Sequence, residues 1–173
     1  MLIRKATRND ARGIVEMITR TWITTYKGLM PDEVLERHSA ATDERVKKTE
    51  KCIETGECCL VAEDSGEIVG SVRYGESRNP DFDNCGEIYS LYVIDNRQKL
   101  SLGKGLLIKA LEDLSEQGFN SVIVNVLDGN KAINFYKKHG GVEVGIRHDD
   151  FYGTVVTERI MLFKNIEEIL EKR

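Results

Sequence analysis

The stretch YVIDNRQKLSLGKGLLIKAL, from Tyr92 to Leu111, contains the end of an apolar strand, a basic loop with two glycines and the start of an amphipathic helix. A helix start attracts anions because its first N–H groups have no intrahelical partner and the peptide dipoles align behind them. This loop is therefore a candidate phosphate site, although many strand-to-helix turns bind nothing. Ser101 stands where such loops often carry a glycine.

Two common phosphate loops are excluded by spacing. A P-loop requires GxxxxGK followed by serine or threonine, whereas Gly103 and Gly105 are followed here by Lys104 and Leu106. A dinucleotide fingerprint requires GxGxxG, and the position of its third glycine is Ile108.

Composition is that of an ordinary globular protein and predicts one domain over residues 1–173. No apolar run approaches the roughly 18 to 20 residues that span a bilayer, and the N-terminus lacks the layout of an export signal. We therefore expect a cytoplasmic protein with no membrane partner. The net charge of −4 provides no basic stripe and argues against a nucleic-acid partner.

The cysteine and histidine spacings fit neither a zinc site nor a disulfide framework, so we predict no metal and reduced thiols. The residues concerned are Cys52, Cys58, Cys59, Cys85, His38, His139 and His148.

Hydrophobic periodicity predicts a strand, helices, three strands, a helix, a strand, a helix and a last strand. The first helix has Asn9 or Asp10 as a candidate cap. The helix after the glycine loop has apolar residues on one face from Leu102 to Leu114. This order predicts a mixed sheet with helices packed on it.

The loop also matches a third pattern. Gln98, Ser101 and Gly103 are spaced as in the Q/R-x-x-G-x-G/A acyl-CoA loop, so the sequence resembles the GNAT superfamily of N-acetyltransferases. GEIYSLYV resembles the fourth strand of that family, and residues 3–39 resemble the N-terminal strand and two helices of a bacterial-type branch. Polyamine and general small-molecule members look most similar.

A second motif departs from the family. The segment NKAINFYKKHGG is similar to N-x-x-A-x-x-F-Y-x-x-x-G-F. Asn130 is two residues before Ala132 rather than three, and Gly141 stands where phenylalanine is usual, whereas Tyr136 fits the pattern.

The resemblance implies an α/β (α+β) fold with a mixed, mostly antiparallel central sheet of about six to seven strands and helices on both faces. It implies acetyl-CoA as cosubstrate, with loop amides on the pyrophosphate and backbone groups of the fourth strand on the pantetheine arm and the acetyl carbonyl. The implied cofactor-binding residues are Leu91, Tyr92, Val93, Gln98, Lys99, Leu100, Ser101, Leu102, Gly103, Lys104, Asn130 and Tyr136.

Two residues are candidates for proton transfer. An amine with a pKa near 10.4 must lose a proton before it attacks, and some family members place a glutamate base where Glu87 lies. A solvated glutamate is the equal alternative, and water or backbone carbonyls serve other members as the base. Tyr136 would protonate the leaving sulfur, or would be a core aromatic beside Phe135.

The implied reaction is direct attack by a primary amine in a ternary complex. The acceptor would be a small amine such as a polyamine or amino-acid-like molecule, with a peptide or protein amine also open. Asp149 and Asp150, before the last strand, either bind a cationic acceptor or form a plain acidic loop. The alternative class of protein is a catalytically inactive acyl-CoA sensor or interaction module. Whether the protein forms a homodimer is left open.

Overall fold

A computed structural model describes residues 1–40, 42–95 and 101–172. Its strands form one sheet in the order β1-β2-β3-β4-β5-β7-β6. The strands are β1 (Leu2–Lys5), β2 (Cys58–Asp64), β3 (Glu67–Glu76), β4 (Gly86–Val93), β5 (Val122–Leu127), β6 (Val142–Phe151) and β7 (Thr154–Phe163). The α-helices are α1 (Ala11–Tyr26), α2 (Asp32–Ala40), α3 (Thr42–Glu54), α4 (Leu102–Glu116), α5 (Ala132–Lys138) and α6 (Ile166–Glu171).

The sheet mixes both strand directions, which confirms the predicted α/β class. β4 and β5 are parallel, and the pairs β1/β2, β5/β7 and β6/β7 are antiparallel. The predicted apolar face of α4 is also confirmed, since Leu106, Leu107 and Leu111 are fully buried.

Spatial contacts divide the chain into two compact units. The first comprises Met1–Arg73 and Ser90–Leu107, and the second comprises Tyr74–Tyr89 and Ile108–Arg173. The single domain expected from the length remains a prediction. Within the described ranges, no helix is long and apolar enough to cross a membrane.

In the first unit, β1 is anchored to the start of α1 through an arginine. Arg4 forms two hydrogen bonds to Asp10, at 2.7 and 2.8 Å, and two to Glu63 on β2, at 2.7 and 3.0 Å. The Asp10 carboxylate also accepts the backbone N–H of Thr7, so it holds the short 3-10 turn that precedes α1. The Arg4 guanidinium keeps the pKa of Asp10 well below its usual range. Asp10, one of the two predicted capping residues, therefore links β1 to the turn that precedes α1.

In the second unit, β5 lies between two partners. Gly86–Ile88 of β4 pair with Val122–Val124, the first three residues of β5. On its other side β5 pairs with β7 from Val122↔Phe163 to Leu127↔Glu158. Because side chains alternate across a strand, this register decides which polar groups share a face of the sheet.

The sequence missed two elements of the second unit, β6 and α6. β6 pairs with β7 as a hairpin with a positive φ at Tyr152 and Gly153. The expectation that Asp149 and Asp150 lie in a loop before the last strand was therefore wrong, because both are paired residues of β6.

Candidate active site

The described part of the candidate phosphate loop that precedes α4 begins at Ser101. Its φ is +58°, in the left-handed region that favours glycine, and its carbonyl accepts the N–H of Gly105 at 2.9 Å. α4 starts at the next residue, so the amides of Leu102, Gly103 and Lys104 belong to the first helical turn. The serine thus adopts the backbone conformation for which other loops use glycine. The predicted residues Gln98, Lys99 and Leu100 lie outside the described residues.

The predicted backbone segment of β4 is closely packed in the first unit. Gly70 of β3 has no room for a side chain, because a Cβ there would lie 3.0 Å from Leu106 and 3.2 Å from the Tyr92 carbonyl oxygen. The Val93 side chain is 3.3 Å from the same point, and Val93 is buried. Close packing of this kind fixes the β4 backbone that the resemblance assigns to the pantetheine arm and the acetyl group.

The Tyr92 side chain belongs to an aromatic cluster with α1 and α2. Its hydroxyl accepts a hydrogen bond from Trp22 Nε1 at 2.9 Å and lies 3.4 Å from the Tyr26 hydroxyl. The Trp22 ring also stacks on the imidazole of His38. Burial, with a smaller effect from the Arg45 charge, lowers the pKa of His38 to about 4, so this imidazole is neutral at pH 7.

Glu87, the predicted base, is 1% exposed and already has several partners. Its carboxylate accepts the backbone N–H of Arg78 at 2.8 Å and the guanidinium Nη2 at 2.8 Å. The Arg78 guanidinium also lies 4.0 Å over the ring of Tyr89. The expectation of a solvated glutamate near a strand end does not describe this buried ion pair.

Sequence reasoning missed two polar residues near Glu87. Asn125 of β5 donates to the Glu87 carboxylate at 3.4 Å. Glu158 of β7 is 8% exposed and pairs with Arg147 of β6 at 2.9 Å. Burial raises the pKa of Glu158, and the Arg147 charge offsets part of that effect. Asn125 could have been found from the sequence, because it interrupts the apolar run VIVNVL.

Asn130 is buried at the start of α5, where its side-chain oxygen accepts the N–H of Ala132 at 2.9 Å. The shortened spacing to Ala132 therefore places the asparagine as a cap for the helix. Its predicted contact with acetyl-CoA stays a prediction.

Tyr136 is the inward-facing member of the two adjacent aromatic residues on α5. It is 4% exposed, and its ring meets the edge of Phe163 with centroids 6.2 Å apart. Phe135 is half-buried and contacts His139. The position of Tyr136 is thus fixed by packing.

The surroundings of Gly141 explain why the phenylalanine that is usual in the family is absent at this position. Its N–H donates to the Tyr136 carbonyl at 2.9 Å, and a Cβ would lie 3.0 Å from that oxygen and 3.2 Å from the Phe163 ring. The aromatic ring of β7 therefore occupies the space beside residue 141.

The described residues contain no recognisable metal-binding site. No group of three or more histidine, cysteine, aspartate or glutamate side chains there is placed to hold an ion. The four cysteines, all within the described ranges, form no disulfide, and burial raises the pKa of Cys59 to about 12.

The sequence model of the acetyltransferase (GNAT) family matches residues 16–141, most of the chain. The chain belongs to the GNAT family. This confirms the resemblance and establishes the protein as an N-acetyltransferase by family. An uncharacterized N-acetyltransferase of Bacillus subtilis, YuaI, is 27% identical over 159 residues, covering 90% of this chain and 88% of that protein.

Solved GNAT structures share the fold of this acetyltransferase. PaiA N-acetyltransferase from Thermoplasma acidophilum, in complex with coenzyme A, is 21% identical with a TM-score of 0.71, covering 94% of this chain and 98% of that one. YncA from Salmonella typhimurium, with its cofactor acetyl-CoA, is 22% identical with a TM-score of 0.69, covering 95% and 93%.

Proposed function

We propose that this GNAT protein transfers an acetyl group from acetyl-CoA to the primary amine of a small molecule, by direct attack in a ternary complex. The observation that carries the proposal is the turn at Ser101. A left-handed residue followed at once by a helix start presents consecutive backbone amides, which is the donor set that a diphosphate requires.

The binding roles follow from the number of donors that each part of acetyl-CoA needs. Amides of the segment 98–104 would hold the diphosphate, with Asn130 as a further contact. Backbone groups of Leu91, Tyr92 and Val93 would bind the pantetheine arm. One of these N–H groups would stabilise the negative charge that develops on the thioester oxygen.

Proton transfer requires a base for the amine and an acid for the sulfur. Glu87 is the proposed base, directly or through water, and it forms an ion pair with Arg78. Tyr136 is the proposed acid. A thiol has a pKa near 8.5, so its thiolate needs only modest help to leave.

A small amine, either a polyamine or an amino-acid-like molecule, is the proposed acceptor. A peptide or protein amine is the alternative within the same reaction. The second candidate function is an acyl-CoA sensor without catalysis, which the helix-capping Asn130 and the packed Gly141 favour because both depart from the family motif.

The deciding experiment is a thiol-release assay with acetyl-CoA and a panel of amines, polyamines first, on the full chain. Turnover with at least one amine, reduced by Tyr136→Phe, is the expected result. Saturable coenzyme A binding without turnover on any small or peptide amine, and without an effect of Tyr136→Phe, would establish the sensor instead.

A further inference from the structure

Three polar side chains form a row across one face of the sheet in the second unit. Glu87 is in register with Ile123, and Glu158 is in register with Leu127. Asn125 lies between these two β5 positions and, two residues from each, points to the same face. Its amide nitrogen donates to Glu87, so its oxygen is turned away from that carboxylate.

Two oxygens of this row are buried and lack a hydrogen-bond donor. Among the described residues, neither Asn125 Oδ1 nor Glu158 Oε2 accepts a hydrogen bond. Arg147 Nε lies 2.9 Å from Glu158 Oε2 and balances its charge as an ion pair. Proteins rarely leave buried acceptors unsatisfied, and a functional role is one explanation when they do.

The charges around the row do not balance. Within the described ranges, the carboxylates of Glu87, Glu158 and Asp149 are paired with two guanidinium groups, those of Arg78 and Arg147. Burial is the main cause of the raised pKa of Glu158, the Arg147 charge opposes it, and the negative charges of Asp149 and Glu87 add a smaller increase. One further cation would neutralise the group, and N–H donors would satisfy its two free oxygens.

We propose that Asn125 and Glu158 bind the ammonium group of the acetyl acceptor, with Asn125 Oδ1 and Glu158 Oε2 accepting its N–H groups. This inference rests on the proposed function and narrows its substrate class. The ligand is a cationic amine without a carboxylate beside its ammonium group, since a carboxylate would meet Glu158 and Asp149. Polyamines and simple alkylamines fit this class, and amino acids do not.

The two oxygens are themselves buried, and the charged neighbours of the row lie nearer the surface. The side chains of Arg78, Asp149 and Arg147 are 63%, 41% and 31% exposed. An incoming cation competes with these guanidinium groups for the same carboxylates, so binding should weaken as salt increases.

The test measures amine binding directly, by calorimetry on the full chain saturated with coenzyme A. The probes are spermidine, n-butylamine and alanine. Glu158→Gln removes the charge and keeps the size, and Asn125→Ala removes the amide. Glu143→Gln is the matched control, because Glu143 also pairs with an arginine across β6 and β7, at 2.9 Å from Arg159.

We expect the wild type to bind at least one of the two simple amines in preference to alanine. Glu158→Gln and Asn125→Ala should each weaken that binding about ten- to hundredfold, the effect of losing a hydrogen bond to a charged group. Coenzyme A affinity should stay unchanged in both variants, and Glu143→Gln should bind the amine like the wild type.

The inference is overturned if neither simple amine binds, if alanine binds best, or if both variants bind the amine normally. Loss of cooperative melting in both variants also counts against it, because the row would then be structural. If the amine binds in the expected pattern but is never acetylated, the inference stands and the proposed transferase function fails.

Discussion

The imidazole of His38 lies almost parallel to the indole of Trp22, with ring centroids 3.8 Å apart and an interplanar angle of 10°. Trp22 in turn donates to the Tyr92 hydroxyl on β4. The stack therefore connects α2 to the strand that is proposed to hold the acetyl group. Its stability depends on His38 remaining neutral, because a protonated ring beside Arg45 would be buried with a like charge nearby.

This stack predicts an acid-sensitive first unit. The pKa of His38 is lowered from 6.5 to about 4, so between these values the unfolded chain binds more protons than the folded one. The stabilising contribution is complete above pH 6.5 and is lost as the pH falls toward 4. After allowance for solvent screening, we expect a loss of about 1 to 2 kcal/mol in the free energy of unfolding.

His38→Phe tests this by keeping a flat ring on Trp22 without a titrating group. Chemical denaturation at pH 7.5 and pH 4.5 should show a smaller loss of stability on acidification in the variant than in the wild type. Equal losses in the two proteins would show that His38 does not control the acid response.

The left-handed conformation of Ser101 predicts that this position of the candidate phosphate loop tolerates glycine. Serine pays a steric cost at φ +58° that glycine does not, so Ser101→Gly should keep the turn. The dissociation constant for acetyl-CoA should change by less than about tenfold, or roughly 1.4 kcal/mol. Ser65→Gly is the matched control, since Ser65 has φ +53° in the β2–β3 turn and should leave the affinity unchanged.

Gly103→Val should instead abolish acetyl-CoA binding, measured by the same calorimetry. The branched side chain would stand on the first turn of α4, where the amides are proposed to meet the diphosphate. Near-normal affinity in a folded Gly103→Val protein would remove the loop from the binding site.

Much of this arrangement could be predicted from the sequence, and the rest depended on pairing across strands. The apolar period of α4 is a local signal that identified a buried helix face, and the glycine spacing of its loop is a local signal that indicated the GNAT family. β6 was missed because Asp149 and Asp150 are typical of loops and because an edge strand needs little apolar sequence. The Arg147–Glu158 pair requires the β6/β7 register, which no local pattern contains.

If Tyr136 is the proton donor, removing its hydroxyl should lower the rate without lowering the affinity for acetyl-CoA. Tyr136→Phe keeps the edge contact with Phe163 and removes the proposed proton donor for the sulfur. We expect kcat to fall about 10- to 100-fold, at or below the lower end of general-acid effects because the thiolate is a fair leaving group. The KM for acetyl-CoA should stay within about twofold, which stopped-flow thiol release can measure.

Tyr74→Phe is the control for that experiment. Tyr74 is also buried and donates its hydroxyl to Asp113 on α4, and it has no proposed role in the chemistry. It should lower the melting temperature with little effect on kcat. A similar kcat deficit in both variants would indicate that the Tyr136 hydroxyl acts through stability alone.

Gly141 predicts a steric cost for any side chain behind Tyr136. A Cβ would lie 3.0 Å from the Tyr136 carbonyl oxygen and 3.2 Å from Phe163, so Gly141→Ala should destabilise the protein by about 1 to 3 kcal/mol. Gly145→Ala on β6 is the matched control, because its Cβ would meet nothing closer than Ile160 at 3.9 Å. Chemical denaturation of both variants gives the comparison.

Combining Gly141→Ala with Phe163→Leu separates the two contacts of Gly141. If the ring of Phe163 contributes to the clash, the double variant should be more stable than the sum of the single effects predicts, by at least about 0.5 kcal/mol. Strict additivity would assign the whole cost to the backbone oxygen of Tyr136. In that case α5 itself, rather than the aromatic residue of β7, excludes the phenylalanine that other family members carry at this position.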